Sequence, residues 1–401
     1  MIMEQTPLDP TRAKSATADA ASGPASKDPG RRHGRSRLTA GQKPKWTAYA
    51  VGGGALVVSA ALMALIGFNL AGWLIIAAIL YVVGMYVTTS VIENRRKATD
   101  GLWGNLIIGS FLIALIPLIS LLATVIGHGV AGITAPGFFA SDMKGISGLS
   151  DQKTAEDGAP LLGGIRHAMV GTLLITLAAT IISVPIGLLT SIYLVEYSND
   201  NKLSKVIRFF VDVMTGIPSI VAGLFASGMM MFVMQKVLGM PPGSNVMGFS
   251  AAIGLSVLMI PVVVRSTEEM LRVVPNELRE ASAALGVRKW RTTLKVVLPT
   301  AISGIASGVT LAIARVVGET APILVTAGVA LTTNWNLFAN WMMTLPVYIY
   351  RQLMNPTAPM APGPSEERAW GAALVLIIIV MILNLLARLV AKVFAPKTAG
   401  R

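Results

Sequence analysis

ISGIASGVTLAIARVVGETAPILVTAG, residues Ile302–Gly328, runs for 27 positions with only two ionisable side chains, Arg315 and Glu319. About 20 consecutive apolar residues suffice for a helix to cross the hydrocarbon of a bilayer, so the stretch reads as a membrane span. A charge at bilayer depth is costly and normally faces protein interior or a water-filled path. Arg315 and Glu319 stand at i, i+4, which puts both side chains on one face of a helix. Two arrangements fit: an ion pair that helps pack a bundle, or an anion path in which Arg315 attracts and Glu319 tempers the grip. Gly304, Ala306, Ser307, Gly308 and Gly318 let helices approach closely. Pro322 is expected to distort the helix just after Glu319 and free a carbonyl.

The rest of the chain has the same character. Of 401 residues, 53% are hydrophobic and 13% charged, against roughly 25% charged in a soluble domain. Similar apolar runs lie near Trp46–Phe68, Gly72–Ile92, Asn105–Gly127, His167–Tyr193, Val206–Met234, Val246–Arg265, Ile302–Val329 and Ala372–Val393. The expected fold is therefore an all-α polytopic membrane protein of about eight spans, the first two forming a hairpin around Asn69–Gly72. There are no cysteines, which excludes disulfides and thiolate metal sites. The three histidines, His33, His128 and His167, are scattered and lack the clustering of a metal site; they read as solvated or interfacial, and no metal site is expected.

Charge sets the expected orientation. With the N-terminus in the cytoplasm, cytoplasmic segments hold the tail, Arg95–Lys97, Lys202–Arg208, the loop from Arg265 to Lys295 and the basic C-terminus, whereas the external loops hold only Lys144, Lys153, Arg166, Lys236, Arg351 and Arg368. That distribution obeys the positive-inside rule, and the flipped topology violates it. A net charge of +13 is thereby accounted for without nucleic acid. Residues 1–46 are polar, with the densest basic run at Arg31, Arg32, Arg35 and Arg37; such a segment buries no apolar face and reads as a disordered cytoplasmic tail. The apolar run behind it is too long and too far from the N-terminus for a signal peptide. Two external loops are long, about 128–166 and 330–370. In the second, Trp335–Tyr350 is expected to lie as an interfacial helix anchored by Trp335, Trp341 and Tyr348.

Between the sixth and seventh spans, residues Arg265–Gly304 read as a small helical domain. Pro275 and Asn276 are helix-start signals and Gly286 a stop signal. Leu278, Ala281 and Leu285 recur at i, i+3, i+7, a narrow apolar stripe on a charged helix. The stripe suits a groove on a partner or a seat on the chain's own bundle. In the fifth span, Asp212 precedes TGIPSIVAG, Thr215–Gly223. Pro218 breaks that helix and Ser219 offers a hydroxyl, which fits a substrate-lining break or a plain kink. Met229–Met231 with Met234 read as apolar filler.

Two motifs carry a family resemblance. Glu280-Ala281-Ser282-Ala283-Ala284-Leu285-Gly286, followed by Leu298-Pro299, resembles the EAA loop of ATP-binding-cassette (ABC) importer permeases, with Ser282 where the second Ala of the triplet stands. ARVVGETAP, Ala314–Pro322, resembles the signature of phosphate importer permeases, its GETAP ending that of the PstA type. GIPSIVAG, Thr344-Leu345-Pro346-Val347 and Ala369-Trp370 fit the same family. The resemblance covers about 105–394 and implies a type I six-helix permease core preceded by an extra hairpin, 47–92, with the EAA loop at 266–300. It implies a coupling helix at Glu277–Trp290, in which Glu277, Glu280, Ala281, Gly286 and Trp290, with Pro299, meet an ATPase, and a substrate path at Arg315, Glu319, Pro218 and Ser219. It further implies a PstC-type permease partner, two PstB-type ATPase subunits, a PstS-type phosphate-binding protein, and phosphate as substrate. The chain has no G-x-x-x-x-G-K-[ST] loop, so ATP and Mg belong to the ATPase partner and this chain is expected to bind no cofactor and to catalyse no reaction. The alternatives are a permease for sulfate or molybdate, or an ion-coupled secondary transporter.

Overall fold

The computed structural model describes residues 43–198 and 201–394; the readings made on residues 1–42 and on the basic C-terminus past Phe394 lie outside them. Among the described residues the structure is helical, without strands. Eight helical segments are long and apolar enough to cross a membrane: Thr47–Ile66, Leu70–Ile92, Arg95–Thr134, Arg166–Tyr197, Ser219–Val237, Gly248–Val273, Lys289–Val317 and Gly363–Leu389. The chain divides into two compact units, 1–116 and 117–401.

In the first unit, α1 (Thr47–Ile66) and α2 (Leu70–Ile92) form a hairpin. Gly67, at φ +111°, ends α1, and the Asn69 side chain accepts hydrogen bonds from the N–H groups of Ala71 and Gly72 to cap α2. The Trp73 indole N–H donates to the Leu56 carbonyl at 3.0 Å. The Lys43 N–H donates to Glu93 at 2.9 Å, tying the start of the described chain to the end of α2; this bond is the main reason the Glu93 carboxyl titrates below its ordinary range. Helix α3 is continuous over Arg95–Thr134, and the boundary between the units falls inside it at Pro117.

The second unit adds α4 (Gly148–Asp157), α5 (Arg166–Ile192, extended by a π-turn at Tyr193–Tyr197), α6 (Lys202–Gly216), α7 (Ser219–Phe232, extended by a π-turn at Val233–Val237) and α8 (Gly248–Val273). Then come α9 (Asn276–Ala284), α10 (Lys289–Thr292), a π-turn at Thr293–Val297, α11 (Leu298–Val317), α12 (Ala321–Thr326), α13 (Leu345–Met354) and α14 (Gly363–Phe394). Helix α8 is the axis of this unit and the most buried of the spans. Its Leu255, Met259 and Val263 pack with Ile175 and Ala179 of α5 and with Ala312 and Val316 of α11. Between helices in lipid, close van der Waals contact replaces the hydrophobic driving force, and small residues permit it here. A Cβ at Gly187 of α5 would sit 2.6 Å from a Val263 methyl, and one at Gly132 of α3 would sit 2.5 Å from the Glu367 carbonyl oxygen of α14.

At the end of this unit where α5, α8 and α14 begin, the loops form a folded platform. The Trp335–Tyr350 stretch is not one interfacial helix. Only Leu345 onward is helical, with Pro346 in the first turn, where its missing N–H costs nothing. Trp335 and Trp341 are exposed as anchors would be, but Tyr348 is buried edge-on to His167, with 5.3 Å between ring centroids; burial raises the pKa of its hydroxyl. His167 is correspondingly buried and not solvated, and neither ring nitrogen has a hydrogen-bond partner among the described residues. The irregular backbone is satisfied as buried backbone must be: Met342 N–H donates to the Ala327 carbonyl at 3.0 Å, Phe249 N–H to that of Leu337 at 2.7 Å, and Leu345 N–H to the Thr172 hydroxyl at 2.8 Å. Asp142 joins the two long loops. Burial raises its pKa, but hydrogen bonds from the N–H groups of Lys144 and Thr333 and from the Thr333 hydroxyl outweigh that and hold the carboxyl below its usual range.

Helix α4 had no counterpart among the sequence expectations. It is pinned by an ion pair with no solvent exposure on either side, Arg368–Asp151. Arg368 Nη1 donates to Asp151 Oδ1 and to the Leu162 carbonyl, both at 2.9 Å, and Nη2 donates to the second Asp151 oxygen and to Ser365. Removing one partner of such a pair strands the other charge in a dry site, at a cost of about 3–5 kcal/mol. Arg368→Ala is therefore expected to lower the thermal unfolding midpoint in detergent and to expose 148–157 to protease. An unchanged midpoint would mean that the pair does not hold the platform.

Candidate translocation path and coupling site

Two stretches that the sequence reads as single spans, Val206–Met234 and Ile302–Val329, each hold two helices in the structure, and the break at Pro218 falls where it was expected. The fifth ends as α6 at Gly216; Ile217 and Pro218 are extended, and Ser219 opens α7. Proline lacks an N–H and disfavours helix in the residue before it, so the break falls where the sequence dictates. The seventh ends as α11 at Val317, and α12 starts at Ala321 with Pro322 in its first turn. Pro322 thus begins a new short helix instead of distorting a long one. Glu319 lies in the break, so the shared helical face expected for Arg315 and Glu319 does not exist. They form no ion pair, and neither has a side-chain hydrogen bond among the described residues. Arg315 is exposed in the last turn of α11, where the negative end of the helix dipole favours a cation.

The two half-helices that follow the breaks meet. A Cβ at Gly223 of α7 would stand 2.5 Å from Pro322 Cα, so α7 rests directly on the first turn of α12. Ser219 is half-buried and Pro218 exposed on the same stretch. A further pair of charges went unrecognised in the sequence. Arg265 Nη2 lies 2.6 Å from Asp212 Oδ1, joining α8 to α6, and the two side chains are 50% and 64% exposed. The sequence puts the end of the sixth span at Arg265; the helix runs on to Val273, eight residues or about 12 Å further, through Glu268, Glu269 and Arg272. Arg265 and Asp212 thus pair at an exposed surface between α8 and α6, whereas Arg315 is exposed near the end of the span Lys289–Val317; a charge at bilayer depth requires a partner or a water-filled path over it.

The EAA-like segment is built from α9 and α10. Pro275 starts α9 and Gly286 ends it, at φ +70°, a backbone conformation that favours glycine. Ser282 points inward, and its hydroxyl bonds that of Thr292 at 2.7 Å, clasping α9 to α10. The one departure from the EAA pattern is thus the residue that holds the two short helices together. The stripe faces out: Leu278 is exposed, Leu285 is 82% exposed and Trp290 48%. Glu277, Glu280, Ala281 and Gly286 are exposed with them, and neither glutamate has an ion-pair partner among the described residues. Pro299 is exposed in the first turn of α11. Of the two seats open to the stripe from sequence, its own bundle is therefore excluded for Leu285. No group of three or more metal-ligating side chains occurs among the described residues.

These features define a polytopic membrane protein with helix breaks and exposed charges at the edges of two spans and an exposed amphipathic segment elsewhere. Residues 183–400 match the family described as binding-protein-dependent transport system inner membrane component. The chain is 43% identical over 296 residues to phosphate transport system permease protein PstA 1 of Mycobacterium tuberculosis (strain ATCC 25618 / H37Rv), covering 74% of this chain and 88% of that protein. It is 37% identical over 263 residues to phosphate transport system permease protein PstA of Yersinia pestis, covering 65% and 83%. Among solved structures, an inward-facing MetNI methionine ABC transporter matches with a TM-score of 0.44 at 19% identity, over 56% of this chain and 94% of that one. The chain belongs to the binding-protein-dependent transport system inner membrane component family, in its PstA permease branch.

The contact between the half-helices is open to test. Gly223→Leu is expected to force α7 off α12 and destabilise the protein by about 1–3 kcal/mol, as overpacking does. Gly228→Leu serves as the control, since nothing lies within 4 Å of its Cβ position. Equal thermal midpoints for the two variants would refute the close packing.

Proposed function

We propose that this chain is the permease subunit of an ATP-driven inorganic phosphate importer and forms half of a translocation path. The observation that carries the reading is the identity to PstA permeases along most of their length, in a chain that leaves Arg315 and the Arg265–Asp212 pair exposed. On this reading residues 105–394 form the permease domain and 47–92 an extra hairpin behind a cytoplasmic tail, 1–46. A PstC-type permease covers the charged face and a PstS-type protein delivers phosphate at the platform. Two PstB-type ATPases bind ATP and Mg, one of them receiving Glu277, Glu280, Ala281, Gly286 and Trp290, with Pro299 behind them. The chain itself changes no covalent bond. Arg315 lowers the electrostatic cost of bringing an anion to bilayer depth. Glu319, in the break beside it, keeps the anion from being held, and the extended backbone at Pro218 and Ser219 lines the way.

On this reading both termini lie on the cytoplasmic face of the bacterial inner membrane, which the positive-inside rule supports. Because the chain has no cysteine, single introduced ones report sidedness directly. Lys153→Cys is expected to react with an impermeant maleimide in intact spheroplasts, and Lys289→Cys only after permeabilisation; the reverse pattern would invert the topology.

The function is tested by labelled phosphate uptake into vesicles that hold the full complex, with and without ATP on the cytoplasmic face. Wild type is expected to take up phosphate only with ATP, and Arg315→Ala to reduce uptake at least tenfold in a complex that still assembles. Undiminished uptake would make Arg315 a packing charge. A complex that hydrolyses ATP and moves sulfate or molybdate in place of phosphate would overturn the substrate, and uptake without nucleotide would overturn the class.

A further inference from the structure

Arg279, next to the EAA-like triplet, makes five side-chain hydrogen bonds. It departs from α9 toward the bundle, and its guanidinium reaches three elements. Nε and Nη2 donate to Glu196 Oε1 at 3.1 and 2.8 Å. Nη2 also donates to the Leu271 carbonyl at 2.9 Å, and Nη1 to the Val274 carbonyl at 2.6 Å. A bond from Nη1 to Asn276 Oδ1 at 3.2 Å closes the set. Leu271 lies in the last turn of α8 and Val274 just past it. Glu196 is buried in the π-turn that ends α5.

This arrangement is a strut. Carbonyls at a helix C-terminus lack intrahelical donors, and here one guanidinium supplies them for α8 while its charge is neutralised by a carboxylate from α5. The planar fork holds its partners in fixed directions, which a lysine could not do. Helices α5 and α8 are packed along their length, with Gly187 against Val263 and the Ser191 hydroxyl donating to the Val264 carbonyl at 2.9 Å. A force on α9 therefore reaches two spans that are packed and bonded to each other. On the other side of the same helix, Leu278 and Leu285 face solvent; the helix presents one face outward and is anchored by the other.

Resting on the permease reading above, we propose that Arg279 is the positioning residue that converts displacement of α9 into displacement of α5 and α8, with Glu196 as its seat. Without it, α9 follows the ATPase and the spans do not follow α9.

The test is the ratio of phosphate moved to ATP hydrolysed by the full complex in proteoliposomes. A purely structural role lowers the amount of assembled complex, and transport and hydrolysis fall together, leaving the ratio unmoved. The strut predicts a ratio at least tenfold lower for Arg279→Ala and severalfold lower for Glu196→Gln, which keeps the size of the side chain and removes its charge. If Arg279→Ala does not assemble, Glu196→Gln decides the matter, and a wild-type ratio there overturns the proposal. A second readout does not depend on the substrate. With spin labels at Leu189→Cys on α5 and Ala284→Cys on α9, in a chain free of other cysteines, the inter-label distance is expected to stay constant between nucleotide-free and ATP-bound complex, and to shift on ATP binding in the Arg279→Ala background. Equal behaviour in both backgrounds overturns the strut, while a wild-type complex that moves no phosphate sinks the substrate reading and leaves this measurement to judge Arg279.

Discussion

In hydrocarbon no water is present to satisfy a backbone N–H or carbonyl, so a span can be interrupted only where protein or a water-lined cavity covers the gap. The second unit of this chain breaks its helices just before the span Ser219–Val237, at Ile217–Pro218, and just after the span Lys289–Val317, at Gly318–Thr320, and lays the helices that follow, α7 and α12, against one another, Gly223 on Pro322. Much of the remaining architecture serves that arrangement. Helix α8 packs beside α7 and α11 and carries the charge that meets Asp212. The segment after α12 folds back under bonds from Met247 to Thr326 and from Met342 to Ala327, which holds the short helix in place from above.

The charged groups fall into two physical kinds. Arg368–Asp151 and Arg279–Glu196 are covered and hydrogen-bonded on several sides, and they join elements far apart in sequence. Arg315 and Arg265 are exposed on their spans, and Arg315 has no partner of its own among the described residues. Charges of the first kind are costly to leave unpaired and so act as fasteners. Of the second kind, Arg265 is paired with Asp212 at the surface, and Arg315 alone of the two is left without a partner among the described residues.

The coupling segment shows how a small motif is assembled. Gly286 supplies the left-handed turn, Ser282 clasps Thr292, and Arg279 ties the helix to the bundle. What remains outward is Leu278, Leu285 and Trp290, a surface that water disfavours and a protein groove would cover. An amphipathic helix normally turns its apolar stripe inward; here polar contacts anchor the inner face and the apolar stripe is left for a partner.

Much was legible without coordinates, because some constraints act along the chain. Hydrocarbon thickness sets the length of an apolar run, so the eight spans stood out in the sequence, with boundaries displaced where proline or a continued helix moved them. The helix breakers Pro218, Pro275 and Gly286 act on neighbouring residues alone and could be read locally. The EAA-like loop and the GETAP run likewise pointed to the family through their residue order. Only the tertiary structure decided which charges meet. Arg368 finds Asp151 across 217 positions and Arg279 finds Glu196 across 83, whereas Arg315 and Glu319, four apart and expected to share a face, are separated by a break in the helix. Tyr348, read as an interfacial anchor, and His167, read as solvated or interfacial, are buried against each other by loops that no periodicity describes. Spacing along a chain determines what a helix can present; the partner of a side chain depends on how the helices are packed, and that is a property of the folded chain.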